Sequence, residues 1–139
     1  MIVQGLVIPR FAKRYSPQLL LVVGITAIAS GLAILGSITT ENLVALMTSS
    51  TMIPLGMGFT IASVNTLVSL RSSAGQQGTA FGVTYSVSGV AQILGPAFGA
   101  SVFGYGISIG IEGLPFIISA VVTIPAIILG VSLKRAFVK

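Results

Sequence analysis

Long apolar stretches alternate with short polar segments along the 139 residues of the chain. Each long stretch approaches or exceeds the roughly 20 residues that an α-helix needs to cross a bilayer. The pattern therefore predicts an all-α membrane protein, because a helix satisfies its own backbone hydrogen bonds in lipid. The predicted transmembrane helices are 18–36, 43–70, 78–103 and 114–133.

A further apolar segment, residues 1–9, is too short to cross a bilayer by itself. We interpret it as the end of a partial helix, stopped by Pro9, because proline removes a backbone donor. A basic loop follows this segment and contains Arg10, Lys13 and Arg14. On this interpretation the sequence is an incomplete fragment of a larger membrane protein.

Composition narrows the possible functions further. Hydrophobic residues make up 54% of the chain and charged residues 6%, too few charges to cover a soluble domain. The chain has no Cys and no His, and its acidic residues are Glu41 and Glu112. These counts argue against thiol or imidazole chemistry, most metal sites and a catalytic carboxylate pair. We expect a lipid bilayer as partner, and no enzyme activity, metal, cofactor or nucleic acid.

The charges divide between the two sides of the predicted membrane. If the spans alternate in direction, all seven Lys and Arg residues fall on one side and both Glu residues on the other. Arg71, between the second and third spans, belongs to the basic side, as does the tail 134–139. The positive-inside rule then predicts a cytoplasmic C-terminus in the plasma or inner membrane.

Polar side chains distinguish the spans from one another. The second and third spans carry more Ser, Thr, Asn and Gln than the first and the last. Polar groups in a membrane face protein or water, so we expect the middle spans to line a cavity and the outer spans to contact lipid. The alternative for each polar residue is a hydrogen bond within or between helices. The substrate-cavity candidates are Asn65, Gln92, Thr60 and Ser88.

The third span also contains small residues at helical spacing. Such residues let a second helix approach closely in a membrane, which favours helix packing over ligand contact. We therefore expect 78–103 to be a tightly packed interior helix, kinked at Pro96 by the loss of a backbone hydrogen bond. The helix-packing candidates are Gly78, Gly82, Ser86, Gly89, Gly95, Pro96 and Gly99.

Two segments resemble the C-terminal end of major facilitator superfamily transporters, especially the drug-proton antiporter type. Residues 4–24, QGLVIPRFAKRYSPQLLLVVG, resemble the end of the eighth helix, a basic loop and the ninth helix. This loop lacks the Asp of the family's Gly-x-Leu-x-Asp-Arg motif. Residues 75–100, GQQGTAFGVTYSVSGVAQILGPAFGA, resemble the loop and the eleventh helix and are the more specific match.

The resemblance implies a twelve-helix transporter fold in which the four spans are the ninth to twelfth helices. It also implies transport of a small solute by alternating access, of the efflux type, together with an N-terminal half of the transporter as partner. In the family, the tenth helix lines the central cavity and the eleventh flanks it. The alternative is a small self-standing membrane protein that acts as an oligomer or a structural subunit.

Overall fold

A computed structural model describes residues 15–38, 42–73 and 75–136. The predicted partial helix 1–9 and the basic loop with Arg10, Lys13 and Arg14 lie outside these residues. The described part of the chain is helical and contains no strand; its helices are α1 (Pro17–Gly36), α2 (Leu43–Arg71), α3 (Gln77–Ser108) and α4 (Leu114–Ala136). All four are long and apolar enough to cross a membrane, which confirms the predicted all-helical architecture of membrane type.

Local sequence accounts for where the first two helices begin. Pro17 lies in the first turn of α1. Backbone N–H groups in the first turn have no helical hydrogen-bond partner, so proline loses nothing there. Asn42 caps α2, because its side-chain oxygen accepts a hydrogen bond from the backbone N–H of Ala45 at 3.2 Å. Both helices therefore start at the residue that the capping rules favour.

The third helix is longer than the sequence pattern predicts. The predicted span ends at Phe103, whereas α3 continues through Gly104 and Gly106 to Ser108 and has 32 residues. In an apolar medium, backbone groups have no water to bind, so glycine does not interrupt a helix as readily as in water. The helix also continues through Pro96, which removes one hydrogen bond without ending it.

A glycine in the left-handed conformation stops α3. Gly110 has a φ of +76°, and its N–H donates to the carbonyl of Ile107 at 3.1 Å. The N–H of Ile111 reaches back to the carbonyl of Gly106 at 2.8 Å. These two bonds form a Schellman motif, in which glycine is preferred because it has no Cβ. The turn leads within a few residues into α4.

The helices pack unequally. α1 lies against both α2 and α4, whereas α3 contacts α2 and α4 only weakly. The buried residues of α1 are Leu20, Leu21, Gly24 and Gly31. In α3, by contrast, every residue from Tyr85 to Phe98 is exposed except the half-buried Gly89.

This arrangement differs from the predicted ranking of the spans. Within the chain, α1 is the most covered helix, although its low polarity predicted an outer position. The span 78–103, predicted to be tightly packed, is the least covered. The reason is that close approach depends on glycines in α1, α2 and the turn before α4. Polarity alone does not report such contacts.

Candidate functional site

A close helix contact joins α1 and α2 through two glycines. A Cβ placed on Gly24 would lie 2.8 Å from the carbonyl oxygen of Gly56 and 2.6 Å from Oγ1 of Thr60. A Cβ placed on Gly56 would lie 2.6 Å from the carbonyl oxygen of Gly24 and 2.9 Å from the backbone nitrogen of Ile28. Real Cβ atoms do not approach backbone atoms so closely, so both positions require glycine. We call this contact between Gly24 and Gly56 the glycine crossing. It holds the two backbones at the separation that only glycine permits.

A second glycine pair joins α1 to the start of α4. A Cβ on Gly113 would collide with the carbonyl oxygen of Gly36, and a Cβ on Gly36 would lie 3.1 Å from the carbonyl oxygen of Gly113. Ile117 on α4 closes the same contact, with its Cγ1 atom 2.8 Å from the Cβ position of Gly36. α1 therefore contacts α2 and α4 through two separate glycine pairs.

Small polar residues continue the α1-facing side of α2. Ser49, Gly56 and Ser63 are seven residues apart, a spacing that keeps them on one side of the helix, and all three are buried. The hydroxyl of Ser49 donates to its own helix, 2.9 Å from the carbonyl of Ala45. The hydroxyl of Ser63 has no hydrogen-bond partner in the described part of the chain. Ser49 and Ser63 therefore matter here mainly because they are small, and less because they are polar.

The two cavity candidates on α2 occupy different environments. Thr60 donates a hydrogen bond to the carbonyl of Gly56 at 2.8 Å, and its hydroxyl lies against Gly24 in the glycine crossing. Asn65 is half-buried and lies five residues further along, which places it on another side of α2. The structure thus gives Thr60 a position in the helix contact. A contribution of either residue to a solute cavity stays a prediction.

The two candidates on α3 share a side of that helix with a third polar residue. Thr84, Ser88 and Gln92 follow one another at four-residue spacing and form what we call the polar stripe. The hydroxyl of Ser88 donates to the carbonyl of Thr84 at 2.9 Å. Ser88 and Gln92 are exposed, whereas Thr84 is half-buried. The structure brings these two together, but it does not join them to Asn65.

The predicted helix-packing glycines of α3 have open space around them. A Cβ added at any of them would meet no heavy atom within 4 Å outside the local backbone, and these positions are Gly78, Gly82, Gly89, Gly95 and Gly99. Ser86 is exposed as well. Among the described residues, no helix lies against this surface. The packing role of these residues therefore stays a prediction.

A cavity of about 280 Å³ lies where α1 begins, α2 ends and α3 begins. Arg71, the last residue of α2, contributes the charged side chain of the lining. Thr84, the first residue of the polar stripe, lies in the same lining. The remaining lining residues are Gln18, Leu67, Val68, Ser72 and Ala80. The sequence patterns do not predict this cavity, because three separate helix ends form it.

The glycines that carry the contacts of α1 were not among the predicted packing residues. They are Gly24, Gly31, Gly36, Gly56 and Gly113. One signal for them exists in the sequence, since Gly24 and Gly31 are seven residues apart in an otherwise apolar helix. That spacing repeats one side of a helix after two turns. The four-residue glycine spacing in α3 is the better-known pattern, and the prediction of packing residues followed it.

Ionisable groups contribute little in the described residues. No group of three or more His, Cys, Asp or Glu residues there could hold a metal ion. Glu112 is exposed in the turn between α3 and α4. Apart from Arg71 at the end of α2 and Lys134 and Arg135 in the last turn of α4, the helices carry no Asp, Glu, Lys or Arg. The described helices can therefore recognise another molecule mainly by hydrogen bonding and by shape, and Arg71 adds a charge at the end of α2.

Comparison of the chain with protein-family models, with curated proteins and with solved structures finds no match. The fold and the positions of the side chains are thus the grounds on which a function can be argued.

Proposed function

We propose that the chain is part of the membrane domain of a secondary transporter of the major facilitator type, which moves a small solute by alternating access. The polar stripe on α3 is the observation that carries this proposal. Ser88 and Gln92 lie exposed in the middle of a helix whose length and apolar character suit a membrane span. Polar groups at such depth face other protein or water, because lipid cannot satisfy them.

The packing of the other three helices supports the same proposal. α1, α2 and α4 form a unit held by two glycine pairs, and α3 lies beside it with most of its length uncovered. Transporters of this kind move largely as rigid groups of helices around a site near the middle of the membrane. In our proposal the three-helix unit is the rigid support. The uncovered side of α3 faces the solute path and the remaining helices of the transporter.

The absence of charge within the spans limits how these helices could couple transport to a proton gradient. Coupling to protons requires an ionisable group in the membrane, and the four spans contain none between their ends. In our proposal the coupling group belongs to the N-terminal half, which acts as the partner of this chain. The efflux direction, the inner or plasma membrane and a cytoplasmic C-terminus belong to the same proposal, since they follow from the resemblance and from the charge distribution.

The first experiment is the size of the native protein in membranes. An antibody against the tail 134–139 is applied to a membrane fraction of cells that carry the natural gene. A band near three times the 14.2 kDa of this chain is expected, as roughly twelve helices require. A single band at 14.2 kDa contradicts the transporter proposal.

A second experiment tests the polar stripe directly. Because the chain has no cysteine, single cysteines can be introduced without a background of native thiols in this region. We expect Gln92→Cys in the native-length protein to react with a water-soluble thiol reagent, and substrate to slow the reaction. Ile93→Cys is the matched control, since Ile93 is the next residue and faces another direction on α3. Equal reaction rates at both positions would count against a water-lined path.

The oligomer alternative keeps one observation in its favour. The open glycine side of α3 could accept the same helix of a second copy, because small residues at four-residue spacing suit that contact. This alternative predicts the band at 14.2 kDa and a disulfide-linked dimer for Gly82→Cys. The transporter proposal predicts no dimer for that variant, since helices of the same polypeptide would cover Gly82.

A further inference from the structure

We propose that the solute which faces α3 is an uncharged molecule that donates hydrogen bonds, and that the polar stripe recognises it through acceptor atoms. This inference rests on the proposed function, because it assigns a substrate class to the same side of the same helix. Three features of the structure support it. The hydroxyls of the stripe have used their donors, Pro96 frees an acceptor, and the described helices carry no carboxylate.

The hydroxyl groups of the polar stripe already donate to their own helix. The hydroxyl of Thr84 donates to the carbonyl of Ala80 at 2.8 Å, and that of Ser88 donates to the carbonyl of Thr84 at 2.9 Å. A hydroxyl has one O–H donor and two acceptor lone pairs. The two hydroxyl oxygens therefore present acceptor sites, and no donor, to a molecule that approaches this side of α3.

Pro96 adds another acceptor to the stripe. In an α-helix the carbonyl of each residue accepts from the N–H four residues later. Pro96 lies four residues after Gln92 and has no N–H, so the carbonyl of Gln92 lacks its regular helical donor. The exposed side chain of Gln92 brings a second carbonyl oxygen and an NH₂ group. Gln92 thus carries two acceptor oxygens and the N–H donors of the stripe.

The side of α3 that carries these acceptors is open to close approach. Ala91 and Gly95 follow Thr84 by seven and eleven residues, which is close to two and three helical turns. A Cβ placed on Gly95 would meet no heavy atom within 4 Å outside the local backbone. Small residues therefore flank Gln92, and a solute can reach its carbonyl groups without displacing a bulky side chain.

The described helices offer nothing to balance a positively charged solute. None of them carries Asp or Glu, and their basic residues lie at the ends of α2 and α4. An ion that leaves water for an apolar medium loses much free energy unless an opposite charge meets it. An anion would instead meet the lone pairs of the stripe. The stripe therefore suits a neutral molecule with N–H or O–H groups, such as an amide or an alcohol.

The test uses small probes that differ in donors and in charge. Benzamide and benzylammonium donate through N–H groups, whereas N,N-dimethylbenzamide and benzyltrimethylammonium have none. The measurement is how strongly each probe slows the reaction of Ala91→Cys with a water-soluble thiol reagent in the native-length protein. Ile93→Cys is the control, since Ile93 lies two and a half turns after Thr84 and faces the opposite side of α3.

Donor groups are expected to decide the protection of Ala91→Cys. We expect benzamide to protect at a concentration about tenfold lower than N,N-dimethylbenzamide, the effect of two lost hydrogen bonds. We expect benzylammonium to protect less well than benzamide, because no carboxylate of the described helices balances its charge. Equal protection by the two amides, including no protection by either, would overturn the proposal. Stronger protection by benzylammonium than by benzamide would overturn the assignment of a neutral solute.

A serine pair on α3 tests the hydroxyl acceptor. Ser88→Ala removes it and is expected to reduce the preference for benzamide over N,N-dimethylbenzamide about threefold. Ser101→Ala is the matched control. Ser101 also donates to its own helix, at 2.9 Å from the carbonyl of Ala97, but it lies on another side of α3. Equal losses in both variants would count against recognition by the stripe.

A proline pair tests the backbone acceptor without changing any polar side chain. Pro96→Ala restores the N–H to which the carbonyl of Gln92 would bind. We expect it to reduce the preference for benzamide about threefold. Pro125→Ala is the matched control, because it restores an N–H inside α4 instead. A preference unchanged in Pro96→Ala would show that the carbonyl of Gln92 takes no part and would overturn this part of the proposal.

The reaction rates without probe distinguish this inference from the proposed function. If Ala91→Cys reacts faster than Ile93→Cys but the two amides protect equally, the solute class is wrong and the water-lined path stands. If both cysteines react equally without probe, the path itself is wrong, and the inference falls with it.

Discussion

The glycines of α1 and those of α3 are the same residue type in helices of similar character, yet they have opposite surroundings. A Cβ on Gly24 would collide with the backbone of α2, whereas a Cβ on Gly82 would meet nothing within 4 Å. The difference lies entirely in what stands opposite each glycine. A small-residue pattern thus indicates that a helix can be approached closely. It does not indicate that the approaching helix belongs to the same chain.

Because the glycine crossing brings backbone against backbone, it should be far more sensitive to substitution than the glycines of α3. Gly56→Ala places a methyl group 2.6 Å from the carbonyl oxygen of Gly24, so α1 and α2 must separate. We expect the free energy of unfolding in detergent to fall by about 1–3 kcal/mol. Gly82→Ala is the matched control on α3 and should not destabilise the chain. If both substitutions have the same effect, the contrast between α1 and α3 is wrong.

The second-largest loss of stability is expected at Gly110, where glycine is needed for its backbone conformation. Gly110→Ala forces a Cβ into the left-handed region at a φ of +76°, which costs about 1–2 kcal/mol. Gly104→Ala, six residues earlier inside α3, has no such strain and serves as the control. The measurement is unfolding in detergent followed by circular dichroism. A loss at Gly104 as large as that at Gly110 would argue against the Schellman motif as the cause.

A glycine that contacts a side chain should matter less than one that contacts backbone. A Cβ on Gly31 would lie 2.7 Å from Cγ1 of Ile53 and 3.4 Å from Cβ of Met52. Ile53 can change its rotamer, so we expect Gly31→Ala to cost about 1 kcal/mol or less. The same unfolding assay compares it with Gly56→Ala. A loss at Gly31 that exceeds the loss at Gly56 would contradict the ranking of backbone contacts above side-chain contacts.

The smallest effect in the purified chain is expected at Gly95. Gly95→Leu meets open space and should change the free energy of unfolding by no more than about 0.5 kcal/mol. In native membranes the same substitution should reduce protease resistance if, as we propose, further helices of the transporter cover α3 there. Ser119→Leu, at an exposed position of α4, should be tolerated in both settings. Equal behaviour of the two variants in native membranes would remove the case for a partner on this side of α3.

The number of helices and their approximate bounds could be predicted from the sequence, because lipid forces every crossing segment into one long apolar run. The predicted start of the first span, residue 18, lies one residue after the first residue of α1, Pro17. The predicted end of the third span, Phe103, falls short of the end of α3, because Gly104 and Gly106 remain helical and the stop is Gly110. Stops of this kind depend on backbone dihedral angles, which composition does not reveal.

The candidate site was predictable only in part. Ser88 and Gln92 share a side of α3, as four-residue spacing requires, and this could be read from the sequence. The place of Thr60 in the glycine crossing could not, because it depends on Gly24 lying opposite. The cavity at Arg71 could not be predicted either, since Gln18 on α1 is distant in sequence from the other lining residues on α2 and α3. Contacts between elements require knowledge of which elements are neighbours.

The contact between Gly36 and Gly113 also sets an order of assembly during synthesis. These two residues touch, although Gly113 follows Gly36 by 77 positions in the chain. A ribosome that adds about 5–20 residues per second needs roughly 4–15 s to cover that distance. α1 and α2 can pair within this interval. Until α4 is made, the side of α1 that will face it contacts lipid or the insertion machinery. Within the three-helix unit, the hairpin of α1 and α2 can therefore form before α4 arrives.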